Sequence, residues 1–233
     1  MWRFFLVYVF CAFTLVRQSN GQANEYRLPM TTVPESYDLR FEFKDFNGVD
    51  NLTFSGVANI TIIVVESTDV VTLNLRDLNV TDVTVAETTN DWYRLLSVNE
   101  CVYLTNDERF EIRLFRNIPT SRRLLVSIKY IGSIRTDMTG LYLSSYEERD
   151  TTKLVLHCYY YYDNLYGVYL RDIVVLTKRY RWFVMTQFEP TYARRAFPCY
   201  DEPGYKTEFN ISVVKQSNQI ALSNMPIRYT EYG

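Results

Sequence analysis

The sequence predicts an all-β fold, a twisted antiparallel sandwich or saddle-like sheet. Three observations carry that reading. Short segments in which apolar and polar residues alternate recur along the chain. Val, Ile, Thr and Tyr dominate these segments, and no stretch between them has a persuasive amphipathic helical period. The 233 residues suffice for one good-sized domain or two small ones, with no internal repeat. A formal net charge of -2, with no basic run interleaved with aromatics, gives no reason to expect a nucleic-acid partner.

The chain opens Met1-Trp2-Arg3, runs apolar from Phe4 to Val16, then turns polar with small residues at Gly21 and Ala23. This pattern predicts a secretory signal peptide over residues 1–23. The apolar run is short for a bilayer span, and no later stretch reads as a transmembrane helix. Secretion gives meaning to four N-x-S/T sequons, at Asn51, Asn59, Asn79 and Asn210, as candidate glycosylation acceptors. Beyond the signal, Cys101, Cys158 and Cys199 remain. An odd number without close paired spacing argues against a disulfide scaffold and leaves at least one thiol free or paired outside the chain.

After an extended lead-in over Tyr26–Tyr37, punctuated by Pro29 and Pro34, a strand is predicted from Asp38 to Phe46. There Leu39, Phe41 and Phe43 alternate with Arg40, Glu42 and Lys44. Gly48 marks the next turn. Strands follow over Thr53–Val65, Asp69–Leu75 and Asn79–Glu87, the last with Val80, Val83 and Val85 only roughly in register. Tyr93–Thr105 is read as one strand, and Arg109–Phe115 carries alternating Phe110, Ile112 and Leu114. Leu124–Ile131 is strong, with Gly132 closing it. Gly140–Ser145 is short, and Gly140 suits a bend or a close approach.

Leu154–Tyr180 departs from this pattern, with four consecutive tyrosines and no clear period. Asp163, Arg171 and Asp172 argue against a bilayer span. It reads either as an atypical insertion or as a tyrosine-rich contact loop.

Thr186–Phe209 (TQFEPTYARRAFPCYDEPGYKTEF) is the densest stretch in functional residue types. Three prolines break it, so neither a plain strand nor a plain helix accounts for it. Asp201 and Glu202 are adjacent, so as strand residues they would point opposite ways and make a poor acid/base pair. They are expected instead to satisfy backbone donors or Arg194 and Arg195, fixing with Lys206 the bend made by Pro198 and Pro203. Cys199 is expected to pack as a small apolar residue, since no base stands beside it.

This motif resembles TQFEPT-x-AR-x-AFPC-[FY]-DEP-x-x-K-x-x-F of the zinc aminopeptidase family typified by aminopeptidase N, the gluzincin aminopeptidases. YRLPMTTVPESYDL, FSGVANITIIVVESTDVVTLNLRDLNV, GLYLSSYEE and ALSNMP resemble the family's pattern in the same order, over roughly residues 26–227. The resemblance implies that residues 24–233 are the family's N-terminal β domain, a saddle packed on a separate catalytic domain bearing GAMEN and HExxH. Neither motif occurs here. The zinc site needs two histidines one helical turn apart and a carboxylate ligand, with another Glu as base. His157 is the one histidine of the chain. No cofactor is therefore expected in this chain, although the complete family enzyme holds zinc, and the chain alone is expected to be non-catalytic. Its last strands are expected to be missing, which would leave sheet edges open.

By the same resemblance, Gln187 and Glu189 would bind substrate at the edge of a complete active site. A carboxylate meets the α-ammonium of a peptide N-terminus with a charge-assisted hydrogen bond, and Gln187 would orient the substrate through its amide. Joining Lys153 to Arg181 would restore the family's approach to TQFEP, so the 27 residues between them read as inserted, in the manner of a translated intron. The competing reading is a short secreted non-catalytic binding module with the tyrosine-rich stretch as its contact loop.

Overall fold

Alternation becomes strand wherever the sequence keeps it. A computed structural model describes residues 27–43, 52–89, 92–147, 170–176, 180–216 and 219–231, with backbone alone at 147, 170–176, 180 and 181. The strands are β1 (Thr32–Glu42), β2 (Thr53–Val64), β3 (Thr68–Asn74), β4 (Leu78–Thr88), β5 (Tyr93–Leu96), β6 (Val98–Leu104) and β7 (Arg109–Ile118). They continue as β8 (Arg123–Ser133), β9 (Gly140–Glu147), β10 (Leu170–Leu176), β11 (Tyr180–Gln187), β12 (Glu208–Val214) and β13 (Ile220–Ser223). Helical structure among the described residues is confined to single 3-10 turns at Thr105–Asp107 and Ala193–Arg195. The expected all-β class holds. No helix among the described residues is long and apolar enough to cross a membrane.

Three sheets form. The largest has the order β12-β1-β2-β8-β4-β5, a second β3-β7-β6, and a third β13-β10-β11-β9. Pairing is antiparallel except between β1 and β12, which run parallel with Tyr37 opposite Phe209. That one parallel pair sits in an otherwise antiparallel sandwich. It joins the start of the domain to a strand about 170 residues later, which local periodicity does not register.

Phe41, Ile60, Ile62 and Ile128 of the six-stranded sheet and Leu73, Phe110 and Ile112 of the three-stranded sheet are almost wholly buried in one apolar cluster. Two sheets each apolar on one face must bury those faces together, which makes the sandwich. Leu141 of β9 and Val184 of β11 extend the same cluster to the third sheet.

Two bulges explain where alternation falters. In β1 the buried residues are Thr32 and Pro34, then Tyr37, Leu39 and Phe41, and the register shifts between Pro34 and Ser36. In β4 the shift between Val80 and Asp82 moves the inward set from Leu78 and Val80 to Val83, Val85 and Glu87. One extra residue exchanges the faces of a strand, so the three valines share a side despite their irregular spacing.

Two expectations are corrected. Tyr93–Thr105 is two strands, because the chain leaves the six-stranded sheet at Ser97 and enters the three-stranded one. Gly132 does not close β8, which runs on to Ser133. Its role is packing, since a Cβ there would lie 2.3 Å from the Phe54 ring and 2.8 Å from Leu78. Within the stretch 154–180, Leu170–Leu176 forms β10 between β11 and β13. The signal segment 1–23, Gly48, Asn51, His157, Cys158 and the four tyrosines lie outside the described residues.

Candidate functional site

The motif of Thr186–Phe209 is held from beneath by aromatics. Phe197 is buried and meets Tyr37, Phe41, Phe188 and Phe209 edge-on, with ring centroids 6.1, 6.3, 5.7 and 6.3 Å away. Phe209 in turn stacks flat on Tyr37 at 4.6 Å. Edge-to-face rings at these separations contribute beyond the area they bury. Phe188 thus points inward, while its neighbours Gln187 and Glu189 are both exposed.

Gln187 ends β11 and is paired with Gly140, the first residue of β9. Past it the chain turns, with a cis Glu189–Pro190 peptide and the amide of Tyr192 donating to the carbonyl of Phe188 at 2.8 Å. The Gln187 side-chain amide reaches the Glu189 carbonyl at 3.4 Å. Both residues are exposed and flank the inward Phe188 as a rim, but Glu189 lies in the turn beyond β11, so strand alternation does not set its direction.

Behind the rim the 3-10 turn carries Arg194 and Arg195 into opposite charge. Arg194 Nε donates to Asp201 at 2.9 Å, and its Nη1 donates to Glu108 at 3.1 Å. Burial raises the Asp201 carboxyl pKa, and the Arg194 guanidinium offsets this only in part. Glu202 accepts from the Leu28 amide at 2.6 Å, and the Asp201 amide donates to the Asn74 side chain at 3.0 Å. The Asp201 carboxylate thus pairs with Arg194 within the motif and the Glu202 carboxylate satisfies a backbone donor of the lead-in, as expected, and the two do not form an acid/base pair. Lys206 is exposed.

Arg195 is 7% exposed and makes the second set of ties. Its Nη1 donates to Thr139 Oγ1 at 2.7 Å and lies 3.5 Å from Asp137, with Asp77 3.6 Å from its Nε. Its guanidinium also lies 5.4 Å from the centre of the Tyr192 ring. Asp137 is held well below the usual carboxylate range by hydrogen bonds from Arg135 and Thr139. Asp77 and Glu108, which anchor these arginines, both adopt left-handed backbone, with φ of 55° and 53°. Sequence reading missed Asp77, Asp137 and Thr139, because nothing near them in the chain marks them as partners of Arg195.

Cys199 is buried, and its burial pushes the thiol pKa up, consistent with a packing role. Among the described residues Cys101 and Cys199 are free thiols. No group of three or more His, Cys, Asp or Glu side chains among the described residues converges as a metal site needs. The described residues thus do not fit a zinc ion, and no step is assigned to one. Of the sequons, Asn79 and Asn210 are exposed, whereas Asn59 is half-buried in the central strand β2. A cavity of about 260 Å³ opens over Gly56 and Tyr130, and another hollow lies beside Glu35 and Lys206; neither includes Gln187 or Glu189.

Comparison with known proteins agrees with this architecture. The chain is 30% identical over 203 residues to Aminopeptidase M1 of Arabidopsis thaliana, covering 87% of this chain and 19% of that protein. It is 27% identical to Aminopeptidase N of Mus musculus over 87% of this chain and 18% of that protein. It is 26% identical to the Puromycin-sensitive aminopeptidase of Caenorhabditis elegans over 86% of this chain and 18% of that protein. The chain thus spans about one fifth of the length of these relatives. A family model described as the Peptidase M1 N-terminal domain matches residues 33–160 and 155–232, two segments that meet within the tyrosine-rich stretch. With nearly all of the chain past its first strand residue matched, this protein belongs to the Peptidase M1 N-terminal domain family.

Proposed function

We propose that this chain serves as the N-terminal domain of a zinc metalloaminopeptidase, a protein that removes residues from peptide N-termini in the secretory pathway, at the cell surface or outside the cell. In that assembly Gln187 and Glu189 form one rim of the substrate cleft. The Glu189 carboxylate accepts hydrogen bonds from the substrate α-ammonium, and the Gln187 amide orients the peptide. The zinc and its catalytic groups come from a separate domain, and the chain alone does not hydrolyse peptides. Asn79 and Asn210, exposed on β4 and β12, are the sequons best placed to carry glycans.

The observation that supports this reading most is the exposure of Gln187 and Glu189 together, while Phe188 between them is drawn onto Phe197. A polar pair on a packed base is how a rim offers fixed hydrogen-bonding groups to a ligand. The test is a hybrid in which residues 27–231 replace the corresponding domain of Arabidopsis Aminopeptidase M1. A folded hybrid that releases N-terminal residues supports the reading, and a folded but inactive hybrid contradicts it. The isolated chain, with or without added zinc, is expected to release none; chelator-sensitive release would overturn the non-catalytic assignment.

A further inference from the structure

At the end of the sandwich away from any conspicuous motif, Glu87 lies on the core-facing side of β4 and is 5% exposed. Three guanidiniums reach it from three elements. Arg94 Nη2, from β5, donates to Oε2 at 3.1 Å. Arg116 Nη2, from the part of β7 that leaves register, donates to the same oxygen at 3.0 Å. Arg122 Nη1, in the turn between β7 and β8, lies 3.4 Å from Oε1. The carboxylate side chain is 6% exposed, whereas the arginines are 53, 48 and 48% exposed.

One arginine would neutralise Glu87, and three leave a local excess of positive charge in a chain of net charge -2. The neighbouring Arg123 shows the ordinary alternative, since it pairs with its own carboxylate, Glu35, at 2.6 Å. Each guanidinium has three nitrogens and five N–H donors in a planar fork, and each engages Glu87 through one nitrogen. Like charges held this close repel one another, and an anion placed over the solvent-facing half of the cluster would relieve that repulsion. A tetrahedral oxyanion matches it in shape as well as in charge, because its oxygens accept from guanidinium forks in several directions.

We propose that Arg94, Arg116 and Arg122 form a binding site for a dianionic oxyanion, sulfate or phosphate. Glu87 gathers the three side chains from below. The anion is either free or the terminal group of a larger sulfated or phosphorylated molecule.

Calorimetric titration of the purified chain with sodium sulfate, sodium phosphate and a sulfated oligosaccharide, at ionic strength matched with sodium chloride, tests this. Thermal unfolding is followed in the same solutions. Saturable binding of sulfate and phosphate is expected, with affinity reduced about tenfold or more in Arg94→Gln and in Arg116→Gln. Affinity for the oligosaccharide well above that for free sulfate assigns the larger molecule as the source; equal affinity assigns the free anion. Sulfate also raises Tm by exclusion from protein surfaces, but that effect does not saturate and is indifferent to these arginines. Arg94→Gln leaves Glu87 with two partners, so it tests the site even if Arg116→Gln does not fold. No heat or Tm rise beyond chloride, or unchanged affinity in Arg94→Gln, overturns the proposal.

Discussion

Gln187 and Gly140 are register partners at the joined ends of β11 and β9, and Arg195 packs directly against the Gly140 backbone. The rim is thus fixed from its neighbour strand. A Cβ on Gly140 would lie 2.9 Å from the Arg195 Cβ and 3.3 Å from the Tyr192 carbonyl, and the residue has φ of +65°.

Gly140→Ala is therefore expected to destabilise the domain by about 1–3 kcal/mol, through both left-handed strain and the clash with Arg195. Gly204→Ala is the matched control, because a Cβ there meets nothing within 4 Å. It is expected to shift stability by no more than about 0.5 kcal/mol. Urea unfolding of the two variants checks the contrast.

Phe197→Ala should cost about 3–5 kcal/mol, since it empties the centre of a buried aromatic cluster that cannot collapse without moving Tyr37, Phe188 and Phe209. Phe197→Leu retains part of that volume and is expected to cost less. The midpoint of chemical unfolding measures both. In the active hybrid, loss of the support beneath Phe188 is expected to raise KM for Phe197→Leu even where the protein remains folded.

The pH dependence of stability should carry the signature of Asp137. Its folded pKa is depressed by Arg135 and Thr139, so its contribution is present above its unfolded value of about 3.9 and is lost as pH falls through the folded value. Asp137→Asn is expected to have a lower Tm than the parent at pH 7, with the two curves converging below about pH 4. Because the group is exposed, the gap should also shrink in concentrated salt. Asp201 works in the opposite sense: its raised pKa means that stability falls as pH rises from the unfolded toward the folded value. Only the difference between parent and Asp137→Asn isolates the first effect.

Strand positions were legible because burial on one face writes a period of two, as in Phe110, Ile112 and Leu114 or in Leu39, Phe41 and Phe43. What stayed hidden depends on partners distant in sequence. The parallel seat of β12 beside β1, the change of sheet at Ser97 and the seat of β10 are tertiary choices. Gly132 looked like a strand end because its need for space comes from Phe54, in another strand. At the site, the motif revealed its own Asp201–Arg194 pairing, seven residues apart. It did not reveal Asp77, Asp137 and Thr139 as the partners of Arg195, nor Glu87 as the meeting point of three arginines.

The proposed role of the Glu189 carboxylate, receiving the substrate α-ammonium, is read out by kcat/KM of Glu189→Gln in the aminopeptidase hybrid. Removing a charge-assisted contact worth about 3 kcal/mol is expected to lower kcat/KM by about two orders of magnitude, with the fold and unfolding midpoint retained. A folded Glu189→Gln hybrid with kcat/KM equal to that of its parent would rule that role out.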